Sequence, residues 1–267
     1  MITKPLNIAL CPMGIVWGNK AANLDTLIEL MPQLHPDTDL LVLPEMFSTG
    51  FMTDSDKEKL RCHAERNTGK TIDTIKALAR TYNIAVAGSF MADSGGLLFN
   101  RAFFIEPNGD ETFADKRHLF TMAGEDKVFS HGDTRMAVRY RGWNIAMIVC
   151  YDLRFPVWCR NRNNEYDLLI AVANWPVARV AAWASLLVAR ALENEAYVAG
   201  VNCRGVDDKG FEYNGSSKLL DFKGKEIGKP SEAVGVIYGQ LDYDRLTSFR
   251  SKFPAWKDAD PFTLLPD

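Results

Sequence analysis

No stretch of this 267-residue sequence is apolar for long enough to cross a bilayer, and its first fifteen residues hold an apolar run too short and too interrupted for a secretory signal. A cytoplasmic protein is the expectation. An excess of one charge is also missing. The 31 basic and 34 acidic residues leave a formal net charge of −3, which gives nucleic acid and anionic membranes no electrostatic hold. Neither is expected as a partner, and small-molecule chemistry is favoured. Cysteine is scarce: Cys11, Cys62, Cys150, Cys159 and Cys203 are odd in number and form no C-x-x-C pair, so neither a disulfide framework nor a zinc knuckle is indicated. Histidine is scarcer still, and His35, His63, His118 and His131 all precede Cys150, an order that excludes a papain-like arrangement with His and Asn downstream. The sequence lacks G-x-S-x-G, H-E-x-x-H and G-x-G-x-x-G. Gly69-Lys70-Thr71 imitates the end of a phosphate loop, but Ala64 stands where that loop needs its first glycine.

What is present is ordinary globular composition, 47% hydrophobic and 24% charged, in a chain of the right length for one large domain over residues 1–267. Short apolar runs alternate with helical periodicity almost to the end. Strands are expected at 6–10, 40–43, 84–90, 144–149, 168–173, 198–201, 217–221 and 234–241. Helices are expected at 20–34, at 70–82 with Thr68 as cap, after Phe155, and at 177–195. A hairpin is expected to join 101–106 to 111–115 through Pro107-Asn108-Gly109-Asp110, and Asp221-Phe222-Lys223-Gly224 is read as a second one. From about residue 245 the chain reads as a Pro- and aromatic-containing tail lying over the surface or over a partner subunit. Strands followed by helices imply an α/β protein with helices covering the outer faces of its sheets.

Cys150 stands where a strand runs into Tyr151-Asp152-Leu153-Arg154-Phe155-Pro156, a turn opening a helix. Such a corner projects a thiol, and nearby helix amides favour its thiolate. Alone, a free cysteine ending a strand is more often a small buried hydrophobe. With histidine out of order for a papain-like site, the candidate base is a carboxylate. Glu45 follows the apolar strand ending Val42-Leu43-Pro44, at the strand end where α/β sheets place their sites. Lys116 closes the first hairpin in Asp115-Lys116-Arg117-His118-Leu119, where an ammonium beside the thiol would stabilise an oxyanion. Taken singly, Glu45 and Lys116 are more often surface residues.

Together, LVLPEMF around Glu45, DKRHLF around Lys116 and VCYDLRFP around Cys150 resemble the nitrilase superfamily of carbon-nitrogen hydrolases, in family order. Ala173-Asn174-Trp175-Pro176, Ala189-Arg190-Ala191-Leu192-Glu193-Asn194, Asn202 and Gly215-Ser216-Ser217 extend the resemblance over most of the chain. It implies a four-layer α-β-β-α sandwich, commonly dimerised through helices around the nucleophile, with no metal and no organic cofactor. It makes Glu45 the general base, Cys150 the nucleophile, and Lys116 with the Tyr151 amide the oxyanion donors, and it matches Glu125 to the second family glutamate. The segments PEMFSTGF and HLFTMAGE resemble the bacterial omega-amidases, which deamidate 2-oxoglutaramate and 2-oxosuccinamate. Phe47, Phe51, Arg154, Asn174, Trp175 and Arg179 are the candidate substrate contacts. The alternatives are an aliphatic amide, an N-carbamoyl compound or a nitrile as substrate, or a catalytically silent binding protein on this fold.

Overall fold

In the computed structural model, residues 4–53, 57–232 and 235–264 are described. The first half runs β1 (Leu6–Leu10), α1 (Lys20–Leu30), β2 (Leu40–Val42), α2 (Lys57–Arg61), α3 (Lys70–Tyr82), β3 (Ala85–Ser94), β4 (Leu97–Ile105) and β5 (Glu111–Asp115). The second runs α4 (Glu125–Val128), β6 (Met136–Tyr140), β7 (Trp143–Val149), α5 (Pro156–Cys159), β8 (Leu168–Ala173), α6 (Val180–Asn194), β9 (Tyr197–Asn202), β10 (Arg204–Val206), β11 (Glu212–Asn214), β12 (Lys218–Leu220), β13 (Lys229–Pro230), β14 (Ile237–Leu241) and α7 (Tyr243–Lys252). Among the described residues the strands form a seven-stranded sheet ordered β13-β14-β1-β2-β3-β4-β5, a five-stranded sheet ordered β12-β9-β8-β7-β6, and the ribbon β10-β11.

The layering follows from side-chain alternation in strands that are apolar on both faces. Leu6, Ile8 and Leu10 of β1 and Leu40 and Val42 of β2 point one way, onto Ile145, Met147 and Val149 of β7 and Ile170 and Val172 of β8 in the other sheet. Ala9, Leu41 and Val86 point the opposite way, under Leu24 and Leu27 of α1 and Ile72 and Ile75 of α3. On the far side Ile148, Ala171 and Val198 meet Trp183 and Leu187 of α6. The result is an α-β-β-α four-layer sandwich. Contact between α6 and β9 is close enough that a Cβ on Gly200 would lie 2.5 Å from Leu187 Cδ1, so the helix settles only over glycine. Strands β1, β2 and β3 are mutually parallel, as are β7, β8 and β9. Their C-terminal ends therefore open on common edges.

Several expectations need correcting. The helix from Lys20 stops at Leu30 and gives way to a 3-10 turn, Met31–Gln33, because Pro32 supplies no backbone donor. Gly69, not Thr68, caps α3, and the Thr71 amide instead donates to Glu65 Oε2 at 2.9 Å. Strand β3 runs on past Phe90 to Ser94 and pairs with β4 through a turn at Gly95 and Gly96, a hairpin longer than the one expected. The turn at Asp221–Gly224 joins no regular strand pair: β12 pairs with β9, and the chain then crosses to the edge of the other sheet as β13. Val234, the expected start of the last strand, lies outside the described residues. The segment read as a tail opens with α7, whose Leu246 is buried and whose Arg250 Nη1 pairs with Asp167 Oδ1 at 2.8 Å. Beyond it, Arg162 sits over the Phe262 ring, so the following residues lie on this chain's own surface.

Candidate active site

The inter-sheet layer ends in polar residues. Glu45 lies just beyond β2, Lys116 directly follows β5, Cys150 directly follows β7, and Asn174 directly follows β8. Two of these exits turn through backbone that side chains other than glycine rarely adopt: φ is 43° at Met46 and 48° at Cys150. Each costs on the order of 1–3 kcal/mol and is held by specific bonds. Met46 N–H donates to Ser89 Oγ at 2.8 Å. At the other corner, buried Asp152 takes Val149 N–H on Oδ2 at 3.1 Å and His118 N–H on Oδ1 at 2.8 Å, tying the Cys150 turn to the loop that carries Lys116. The Tyr151 amide lies in the first turn of the 3-10 segment Cys150–Arg154, where helical geometry offers a backbone donor no acceptor.

Glu45 and Glu125 are fully buried and Lys116 is 1% exposed between them. Lys116 Nζ donates to Glu45 Oε1 at 3.1 Å and to both Glu125 oxygens, at 3.0 and 2.9 Å. Glu45 also accepts Asn100 Nδ2 on Oε1 at 2.7 Å and the Asn174 amide on Oε2 at 2.8 Å, while Asn174 Nδ2 donates to the Glu45 carbonyl at 2.8 Å. Glu125 Oε2 takes the Phe120 amide at 2.6 Å. Burial disfavours the Lys116 ammonium, but the carboxylates of Glu125 and Glu45 outweigh it and hold the lysine protonated above its usual range. Burial, reinforced by the Glu45 charge, pushes the Glu125 carboxyl up against the opposing pull of Lys116 and the Phe120 amide.

The half-buried Cys150 thiol faces Glu45. Burial first, and then the Glu45 charge, raise it well above 9, and the attraction of Lys116 does not compensate. The expected pull of helix amides toward the thiolate is here opposed by burial and by Glu45. A short 3-10 turn supplies little dipole, and two carboxylates face the sulfur. The arrangement suits a thiol that loses its proton to Glu45 as it attacks, next to an ammonium positioned for negative charge.

Above the cluster lies a cavity of about 470 Å³ whose walls include Glu45, Lys116, Cys150, Asn174, Phe51, Trp175, Arg154 and Arg179. Phe51 presents its ring 5.3 Å from Lys116 Nζ. The Arg154 guanidinium stacks over Trp175 at 4.9 Å and that of Arg179 over Phe120 at 5.1 Å. Trp175 Nε1 donates to the Arg179 carbonyl at 2.7 Å and fixes the start of the following helix. Phe47 is the exception among the candidate contacts. It is fully buried, 6.0 Å from the Phe103 ring, in the core between the first sheet and its helices, because the turn at Met46 rotates it away from the cavity. Asn174 hydrogen-bonds to Glu45 and so holds that carboxylate as well as lining the cavity.

The sequence reading missed Asn100, Ser89 and Asp152, and it missed the wall contributed by Asp207, Lys209 and Tyr213 around the β10-β11 ribbon. A signal for Asn100 exists: in β4 it interrupts the apolar series Leu98, Ala102, Phe104 on the core-facing side.

The family model for carbon-nitrogen hydrolases matches residues 7–251. The chain is 40% identical to omega-amidase YafV of Escherichia coli (strain K12) over 97% of this chain and 98% of that protein. It is 27% identical to the 2-oxoglutaramate amidase of Bacillus subtilis (strain 168), with 94% and 96% of the two chains covered. Among solved structures it is similar to XC1258 of Xanthomonas campestris, a CN-hydrolase superfamily protein with an arsenic adduct in its active site, at 37% identity and a TM-score of 0.92 over 98% and 99% of the chains. A sandwich whose strand ends, with the start of α4, bring a thiol, two carboxylates and an ammonium together, matched over nearly its full length by that family, leaves one assignment: the chain belongs to the carbon-nitrogen hydrolases and acts on carbon-nitrogen bonds other than peptide bonds.

Proposed function

We propose that this enzyme is an omega-amidase, hydrolysing the terminal amide of a short 2-oxo dicarboxylic acid such as 2-oxoglutaramate or 2-oxosuccinamate through a thioester on Cys150. As sulfur bonds to the amide carbon, Glu45 takes the thiol proton, and Lys116 and the Tyr151 N–H receive the oxyanion. The carbon-nitrogen bond then breaks and the nitrogen leaves as ammonia with the proton from Glu45. Glu45 next takes a proton from water, whose oxygen adds to the thioester. The carbon-sulfur bond breaks, the sulfur regains a proton, and the acid departs. Glu125, held by the Phe120 amide, keeps Lys116 in place.

One observation carries the choice of an anionic substrate. Arg154 and Arg179 both stand in the cavity wall, each stacked on an aromatic ring, and neither takes part in an ion pair among the described residues. Guanidiniums left without a carboxylate are suited to pair one brought by the substrate. The names of the relatives favour the same choice. The reading extends to a cytoplasmic homodimer, for which Val157 on α5 and Leu192 on α6 offer exposed apolar surface, and to catalysis without metal or organic cofactor. The test compares kcat/KM for the two keto amides with that for butyramide and butyronitrile. The keto amides should be preferred by at least about tenfold, because only they bring a carboxylate to the guanidiniums. Equal turnover of the neutral compounds would refute the substrate assignment and leave the thiol mechanism standing.

A further inference from the structure

Asn100 occupies a position that the catalytic scheme above does not use. It is fully buried in β4 and is absent from the cavity wall, yet it touches all three charged members of the cluster. Its Nδ2 donates to Glu45 Oε1 at 2.7 Å and approaches Glu125 Oε1 at 3.4 Å, and its backbone carbonyl accepts the Lys116 amide at 2.9 Å. The amide cannot turn over without loss. Ser89 Oγ donates to Asn100 Oδ1 at 3.0 Å, and Ser89 itself is held by the Met46 amide at 2.8 Å, so its hydroxyl proton points at the asparagine. A flipped amide would set Oδ1 against two carboxylates and strand the Ser89 proton. The pairing of β3 with β4 fixes this register, with Ser89 opposite Ala102.

We propose that Asn100 is a positioning residue: its amide is a neutral clamp that spaces Glu45 from Glu125 around Lys116 and keeps the Glu45 carboxylate aimed at the thiol. The inference rests on the reading of Glu45 as general base. The chemistry explains why an amide is suited to the place. Two like charges share one ammonium here, and a second cation would hold Glu45 too tightly to accept a proton. A carboxylate would add repulsion, and an apolar side chain would leave Glu45 Oε1 to Lys116 alone. A primary amide supplies two donors and no charge. The titratable groups that face Glu45 are Lys116, Glu125 and Cys150, with Cys203 and Tyr213 at longer range. Asn100 is the neutral amide that bonds Glu45 Oε1 beside them.

The test measures kcat, KM and the pH dependence of kcat for Asn100→Asp, Asn100→Ser and Ser89→Ala, with Glu45→Gln as control and thermal melts to establish folding. Loss of a neutral donor to a buried carboxylate disfavours its charged form, so the acid limb of the activity profile should move to higher pH. Asn100→Asp and Asn100→Ser should lose about tenfold to a hundredfold in kcat at pH 7, with KM changed by less than about threefold because the residue does not meet the cavity. Ser89→Ala, which removes the hydroxyl that orients the amide and that also accepts the Met46 amide, should show the same shift with a smaller loss, and it provides the readout if the Asn100 variants fail to fold. A residue that merely supports the fold would lower the melting temperature and leave the acid limb where it is. An unmoved limb in folded variants, or unchanged kcat, overturns the inference. Activity in Glu45→Gln overturns instead the assignment of the base, so the two failures are distinct.

Discussion

Replacing Lys116 by methionine removes the ammonium and keeps most of the side-chain volume, and the structure sets the size and the pH dependence of the effect. The lysine is the cation between two fully buried carboxylates, at 3.1 Å from Glu45 and 2.9 Å from Glu125. Without it both acids remain buried beside each other, and breaking a buried pair in this way costs about 3–5 kcal/mol. The cost depends on ionisation. Glu125 is already raised above 4.5 by burial, and loss of the lysine raises it further. An acid whose folded pKa lies above its unfolded one favours the folded state below the unfolded value and loses that contribution as pH rises through the folded value. The destabilisation of Lys116→Met should therefore be small near pH 5 and reach its full size near pH 8, where both carboxylates must be charged or held protonated against solvent. Urea unfolding of wild type and variant at the two pH values measures it. Turnover should fall in parallel by about a hundredfold to a thousandfold, the usual effect of removing one oxyanion donor. A variant within about 1 kcal/mol of wild type at pH 8, or one whose deficit grows as pH falls, would refute the electrostatic account.

Two further outcomes follow from the same geometry. Cys150 should react slowly at pH 7 with a small neutral thiol reagent such as methyl methanethiosulfonate, and its rate should still be climbing beyond pH 9, because burial and Glu45 hold the proton on sulfur; a plateau below pH 8 would contradict that. Arg154→Gln and Arg179→Gln should each cost about 1.5–3 kcal/mol in kcat/KM for a keto amide, the worth of a hydrogen bond to a charged group, and under threefold for butyramide; equal losses on both substrates would remove the carboxylate-pairing role.

Much of the site was legible because three short segments carry it, two at the exits of plainly apolar strands and one at the end of a hairpin marked by its turn. Residues 40–43 and 144–149 were placed by their apolar runs and 111–115 by the turn at Pro107-Asn108-Gly109-Asp110, and Glu45 followed from the rule that α/β sites gather at strand ends. What escaped depends on pairing register or on backbone turns. Asn100 acquires its partners from the β3-β4 hairpin, whose turn at Gly95 and Gly96 was not read as one because Ser94 and Asp93 look like loop. Phe47 was placed in the cavity by proximity to Glu45, whereas the left-handed turn at Met46 sends it into the core. Around Asp207 and Lys209 the sequence is polar and glycine-containing, without strand periodicity, and it becomes cavity wall only through the ribbon flanking it.

The protonation state of Cys150 shows local and tertiary physics pulling in opposite directions. Locally, a thiol at the start of a helical turn gains from backbone amides. In the folded site that gain competes with burial and with a cluster in which two carboxylates face one ammonium, so a thiolate would add a second net negative charge to a desolvated space. The resting site avoids this by leaving the proton on sulfur and the charge on Glu45. In the proposed attack the proton moves to Glu45, the negative charge passes through sulfur to the substrate oxygen beside Lys116, and the net charge of the cluster stays the same. The buried site thus relocates a charge it already carries rather than creating one, and the ammonium that shares Glu45 in the resting state is already in place when that charge reaches the oxyanion.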